Sequence, residues 1–250
     1  MNEQSSNKPI VLYTLPNAIT ALNLMSGCVA VVLAFTPDML RFAPWFILLA
    51  AVFDFCDGFV ARLTHSYSDT GKELDSLADV VSFGVAPGVM VFQLMRWGMW
   101  GDTFAWPEAL TFFEGLALFC ALLIPVFAAY RLAKFNVDER QHNSFMGLPT
   151  PASAFLIVGV VLGAYRSDLF FSSVFCSPWL LAPLSLAIGY LNLCEVPMIA
   201  FKFKSWAWSE NKVRYSFLVL SLIVIAFARE LSFGLIIILY VLFSIFQKQR

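Results

Sequence analysis

Asp54, Asp57, Asp75 and Asp79 are two pairs of carboxylates, spaced three and four residues apart, in a chain otherwise apolar enough for a lipid bilayer. On a helix those spacings put both members of a pair on one face, a turn apart. Two antiparallel helices joined by a short loop would therefore present all four to one point near one membrane edge. Four anions held together repel, and cations relieve the repulsion. Ligands that are all oxygen suit Mg²⁺ or Mn²⁺ better than zinc. Two such ions bridged by shared carboxylates would form a clamp for phosphoryl chemistry. Gly58 and Gly71 have no side chain to block a ligand's approach to the backbone. Arg62 shares a helix face with Gly58 and is placed to pair with a phosphate. Asp69 and Glu73, in or beside the loop, are expected to be solvated.

The elements that must carry these residues follow from composition. The 250 residues are 60% hydrophobic and 13% charged, where soluble domains hold about 45–50% and about 25%. With a mean hydropathy of +0.76, this implies an all-α, polytopic transmembrane bundle forming a single domain over residues 1–250. Eight spans are expected: Pro16–Phe35, Arg41–Leu63, Leu74–Trp97, Leu110–Phe135, Ala152–Tyr165, Trp179–Phe201, Val213–Ala228 and Leu231–Phe246, the last two meeting in a tight turn at Ala228-Arg229-Glu230. One long helix there would force two charges into mid-membrane. Residues 1–9 read as a flexible tail with no cleavable-signal pattern, and Ile10–Tyr13 as an interfacial stretch. Threading eight spans from a cytoplasmic N-terminus leaves twelve of the sixteen basic residues on the cytoplasmic side. Only Arg41, Arg96, Arg166 and Arg229 fall opposite. The acidic pairs then sit at the cytoplasmic face, as do both termini. A net charge of −1 offers no field for nucleic acid, and the five cysteines show neither zinc-ligand nor disulfide spacing.

Asp57-Gly58, Ala61-Arg62, Gly71, Asp75 and Asp79 fit the pattern D-G-x2-A-R-x8-G-x3-D-x3-D at every fixed position, with Asp54 upstream. In this the chain resembles the CDP-alcohol phosphatidyltransferase family. Leu74–Pro87 (LDSLADVVSFGVAP), Tyr130–Val137 (YRLAKFNV) and Phe145–Ala154 (FMGLPTPASA) resemble its bacterial and archaeal serine-accepting branch. Lys134 departs from that branch, where arginine is expected; the charge is kept and bidentate pairing is lost. The resemblance implies displacement of CMP from CDP-diacylglycerol by the hydroxyl of L-serine in the cell (inner) membrane, by a homodimer. By similarity, Asp54, Asp57 and Asp75 hold the metal ions, and Asp79 borders that site as a fourth metal residue and acts as general base. Gly58, Arg62 and Gly71 would line the CDP moiety.

Further positions carry two readings each. Arg131, Lys134 and Asn136 either bind the acceptor carboxylate or a lipid phosphate, or anchor the fourth helix at the membrane face. Asn17 and Thr20, beside Pro16, either cap the first helix or touch the diphosphate. His65 and His142 lack partner spacing for metal ligation, and Cys56 is read as a packing residue. Glu195-Val196-Pro197 suggests a kinked helix at the lipid entry. Acceptors bearing a phosphate, such as glycerol 3-phosphate or an inositol phosphate, should demand more clustered arginine than this site offers. A cation transporter should show repeated halves, and this chain has one acidic cluster. No separate nucleophile is evident, so direct displacement is expected.

Overall fold

Apolar stretches of bilayer length satisfy their backbone groups internally as helices, since hydrocarbon offers no partners. The computed structural model describes residues 14–36, 38–66, 68–101, 109–137, 146–166, 169–199 and 208–248. The N-terminal tail, Ile10–Tyr13, His142, Lys8, Arg140, Lys202, Lys204 and Arg250 lie outside them. The described elements are α1 (Leu15–Phe35), α2 (Ala43–Leu63), α3 (Asp69–Asp79), α4 (Ala86–Trp100), α5 (Phe112–Val137), α6 (Thr150–Ala164), α7 (Leu169–Phe175), α8 (Pro178–Leu193), α9 (Trp208–Ala228) and α10 (Ser232–Lys248). The chain is an all-α polytopic membrane protein, and each of the eight expected spans has its helix. Leu15–Phe35, Asp69–Trp100, Phe112–Val137 and the stretch Asn211–Phe246 are long and apolar enough to cross a membrane.

Four details differ from the sequence expectation. The third span starts at Asp69 rather than Leu74, because the Ser68 hydroxyl caps it by accepting from the Gly71 N–H at 3.0 Å. It then runs through a π-helical segment, Val80–Val85, into α4. The sixth span ends at Leu193: Cys194 turns extended, and Gly147 N–H donates to Val196 O at 3.0 Å while Met146 pairs with Pro197. The short helix α7 was not anticipated. The turn after Ala228 is as expected, with Arg229 at φ 52°. It folds α10 back on α9, so Phe217 meets Tyr240 and Phe243 at ring separations of 6.2 and 5.9 Å.

Small residues set the packing. In α1 the buried stripe is Asn17, Thr20, Asn23, Ser26, Gly27, Ala30 and Ala34, while Leu15, Met25 and Val32 face outward. This inversion suits lipid, where close helix approach depends on small residues. A Cβ on Gly27 would lie 2.5 Å from Ser82 Oγ and 2.8 Å from Ser82 Cα, so α1 rests directly on the π segment. On the other side, Gly84 and Gly88 make room for Pro125 of α5. α10 reaches α6 where Gly159 and Gly234 touch backbone to backbone. It also braces the segment after α8, since Tyr240 donates to Ile199 O at 3.1 Å and Ser244 accepts from Ile199 N–H at 3.2 Å.

Candidate active site

The two aspartate pairs lie on α2 and α3 as their spacing requires, and a third helix holds them in place. Asp54, Asp57 and Asp75 each offer a carboxylate oxygen within 4.8 Å of the others. α1 supplies the donors. Thr20 Oγ1 lies 2.6 Å from Asp57 Oδ2, and Asn23 Nδ2 donates to Asp79 Oδ1 at 3.1 Å. Asp57 and Asp79 are buried. Asp79 stands apart from the close trio, held by Asn23. Burial strengthens the repulsion among the three acids. Asp75 Oδ1 is buried without a hydrogen-bond partner, an acceptor that a cation held by the trio would satisfy. The donor set, all carboxylate oxygen, fits a hard divalent ion.

Beside this cluster lies a cavity of about 210 Å³ lined by Asn17, Thr20, Asp57, Gly58, Gly71, Lys72 and Asp75, among others. A Cβ on Gly58 would meet only the Arg62 guanidinium, 3.8 Å away, so that backbone is open to a ligand. Gly71 serves a second purpose. Its missing side chain admits Asn17, whose Oδ1 would lie 3.0 Å from a Cβ there. Arg62 is exposed, and its Nε donates to Gly58 O at 2.9 Å. It lines a separate groove with Phe55, Phe59 and Leu63 on the outer face of α2.

The α5 candidates divide. Arg131 is buried, 5.9 Å from the Phe135 ring centroid and within electrostatic reach of Asp79. Lys134 Nζ pairs with Glu195 Oε1 at 3.1 Å. The Asn136 amide donates to Ser76 Oγ at 2.9 Å, and its carbonyl accepts from Lys72 Nζ at 3.2 Å. Lys134 and Asn136 thus tie the end of α5 to its neighbours. Asp69, Glu73 and His65 are exposed, and Cys56 is half-buried. Sequence reasoning missed Asn23, Ser68 and Lys72. Asn23 had a signal: Asn17, Thr20 and Asn23 recur every third residue on an otherwise apolar helix.

A family model described as CDP-alcohol phosphatidyltransferase matches residues 13–191. The chain is 35% identical over 153 residues to a CDP-diacylglycerol–serine O-phosphatidyltransferase of Helicobacter pylori (strain J99), covering 60% of this chain and 58% of that one. It is 36% identical over 149 residues to one from Methanocaldococcus jannaschii, covering 59% and 60%. With the Bacillus subtilis protein of the same name, identity is 29% over 188 residues, covering 75% and 91%. The chain thus spans under two thirds of the length of the first two relatives.

Proposed function

The chain belongs to the CDP-alcohol phosphatidyltransferase family, and from that membership we propose that it transfers a phosphatidyl group from CDP-diacylglycerol to L-serine. The products would be phosphatidylserine and CMP. The observation that carries this reading is the convergence of Asp54, Asp57 and Asp75 beside a cavity walled by open glycine backbone and the Asn17, Thr20 and Lys72 side chains. Such a cavity suits a diphosphate. The names of the relatives support serine as acceptor.

In this mechanism the serine hydroxyl oxygen attacks the phosphatidyl phosphorus. The bond from that phosphorus to the CMP oxygen breaks, and CMP leaves with the electron pair. A hydroxyl is a poor nucleophile at neutral pH, so the proton must pass to a base within hydrogen-bond reach. Asp79 is that base. Asn23 holds one of its oxygens, which leaves the other for the proton. Mg²⁺ or Mn²⁺ ions held by Asp54, Asp57 and Asp75 would neutralise the diphosphate and the charge building on CMP. Gly58, Gly71, Asn17 and Thr20 line the CDP side, and Arg62 meets a lipid phosphate from the outer groove. The excess of basic residues at this end of the helices supports a cytoplasmic site in the cell membrane, where soluble serine meets a lipid substrate. The resemblance extends the proposal to a homodimer, which light scattering of the detergent-solubilised protein tests.

The deciding experiment supplies purified protein with CDP-diacylglycerol, Mn²⁺ or Mg²⁺, and either labelled L-serine or glycerol 3-phosphate. Labelled phosphatidylserine with matching CMP release is expected. Product with glycerol 3-phosphate alone would refute the serine assignment.

A further inference from the structure

The end of the bundle away from the aspartates carries a second polar cavity, of about 500 Å³, within the span of about 300–1,000 Å³ usual for small-ligand sites. Its wall includes Asp38 and Arg41 from the turn between α1 and α2, Trp97 from the last turn of α4, Tyr165 and Arg166 after α6, and Ser172 of α7. Asp54 lies 11 residues beyond the start of α2 at Ala43, about 17 Å along that helix, so the two cavities are separate.

Of the sixteen basic residues, the four that thread to this side are Arg41, Arg96, Arg166 and Arg229. Arg96 is buried and donates to Gln93 Oε1 at 3.0 Å. Arg229 Nη2 lies 3.8 Å from Glu230 Oε1. Arg41 and Arg166 open on the cavity, and among the described residues neither has an ion pair. Each guanidinium is held against a ring, Arg41 at 4.8 Å from the Phe42 centroid and Arg166 at 5.1 Å from that of Phe171. Basic residues are scarce at this end, so two in one cavity ask for an anion. The Trp97 and Tyr165 rings lie 5.0 Å apart, at helix ends, where such side chains mark the headgroup level of a bilayer. Met39, Phe42 and Trp45, around Arg41 in the chain, are exposed. They form an apolar surface on which acyl chains can lie.

We infer that this cavity binds the phosphodiester headgroup of a phospholipid in the leaflet at the end opposite the aspartates. Arg41 and Arg166 donate to the phosphate oxygens. With Asp38 the wall carries a net charge of +1, which matches the single negative charge of a phosphodiester. The apolar surface beside Arg41 favours a lipid over free phosphate. The bound headgroup bridges the turn after α1 to the turn after α6, and a ligand that binds only the folded chain stabilises it. The site does not depend on which acceptor the enzyme uses.

The test titrates the detergent-solubilised wild type and the double variant Arg41→Gln/Arg166→Gln with phosphatidylglycerol, read by native mass spectrometry and by thermal midpoint. The expected result is a Kd raised about tenfold or more in the variant, through loss of hydrogen bonds to a charged group. The thermal midpoint should rise with lipid in the wild type and hold in the variant. Lipid at the aspartate site binds both proteins equally, so the difference between them reports this cavity. An equal Kd in the two proteins would overturn the inference, as would equally tight binding of diacylglycerol, which lacks the phosphate. A rise in midpoint with inorganic phosphate equal to that with the lipid would overturn the lipid assignment. If the double variant does not fold, the exposed Arg41→Gln alone decides. A weakened lipid affinity supports the site, and an unchanged one overturns it.

Discussion

Replacing Thr20 with valine removes one hydroxyl and leaves the shape of α1 nearly intact. That hydroxyl has one proton and two acceptors in range, Pro16 O at 3.1 Å and Asp57 Oδ2 at 2.6 Å. The shorter contact to the charged oxygen takes the proton. Both side chains are buried, at 3% and 5% exposure, so water cannot substitute freely. A hydrogen bond to a charged group contributes about 1.5–3 kcal/mol, or about ten- to 150-fold in an equilibrium constant. Outer partners of metal ligands cost about 10–100-fold in metal affinity when removed. CMP release titrated with Mn²⁺ should therefore show a half-saturating concentration raised about 10–100-fold in Thr20→Val. Turnover at saturating Mn²⁺ should stay within about threefold, because the proposed base is untouched. Thr20→Ser keeps the hydroxyl and should behave as wild type. An unchanged Mn²⁺ requirement would refute the reasoning, since Thr20 would then line the CDP side without orienting Asp57.

Asp79→Asn should lower CMP release by about 10²–10⁴-fold, the usual contribution of a general base, while Mn²⁺ binding measured by calorimetry persists; near-wild-type turnover would exclude Asp79 as the base. Gly27→Val should force α1 off the π segment, where a Cβ already lies 2.8 Å from Ser82 Cα. Overpacking of this kind costs about 1–3 kcal/mol, and a thermal midpoint equal to wild type would count against such close packing. Lys134→Met breaks an ion pair whose side chains are 37% and 60% exposed, so stability should change by no more than about 1 kcal/mol. A tenfold rise in serine KM in that variant would instead make Lys134 an acceptor ligand.

Particular residues show where local pattern was enough. Spacing alone put Asp54 with Asp57 and Asp75 with Asp79, because the helical period is a property of a few consecutive residues. The turn at Arg229 was legible because charge in mid-membrane is costly. Asn136 and Lys134 read as acceptor candidates, and the structure engages them with Ser76, Lys72 and Glu195. Nothing in the YRLAKFNV stretch says which neighbour its polar ends will meet. The end of α8 at Leu193 was equally hidden, since it depends on pairing with residues 146–148 from a distant part of the chain.

By itself the sequence determined an all-helical membrane protein with acidic pairs on adjacent helices, and through them a family and a chemistry. Hydropathy and the 3.6-residue period are local, so both can be read one segment at a time. Only the tertiary structure decided that Thr20 and Asn23 of α1 hold Asp57 and Asp79 and that Gly71 makes room for Asn17. Those pairings depend on the sliding register of one helix against another. That register is set by close approaches at Gly27, Gly84 and Gly189, where a small residue is informative only once the side chain or backbone filling its space is known.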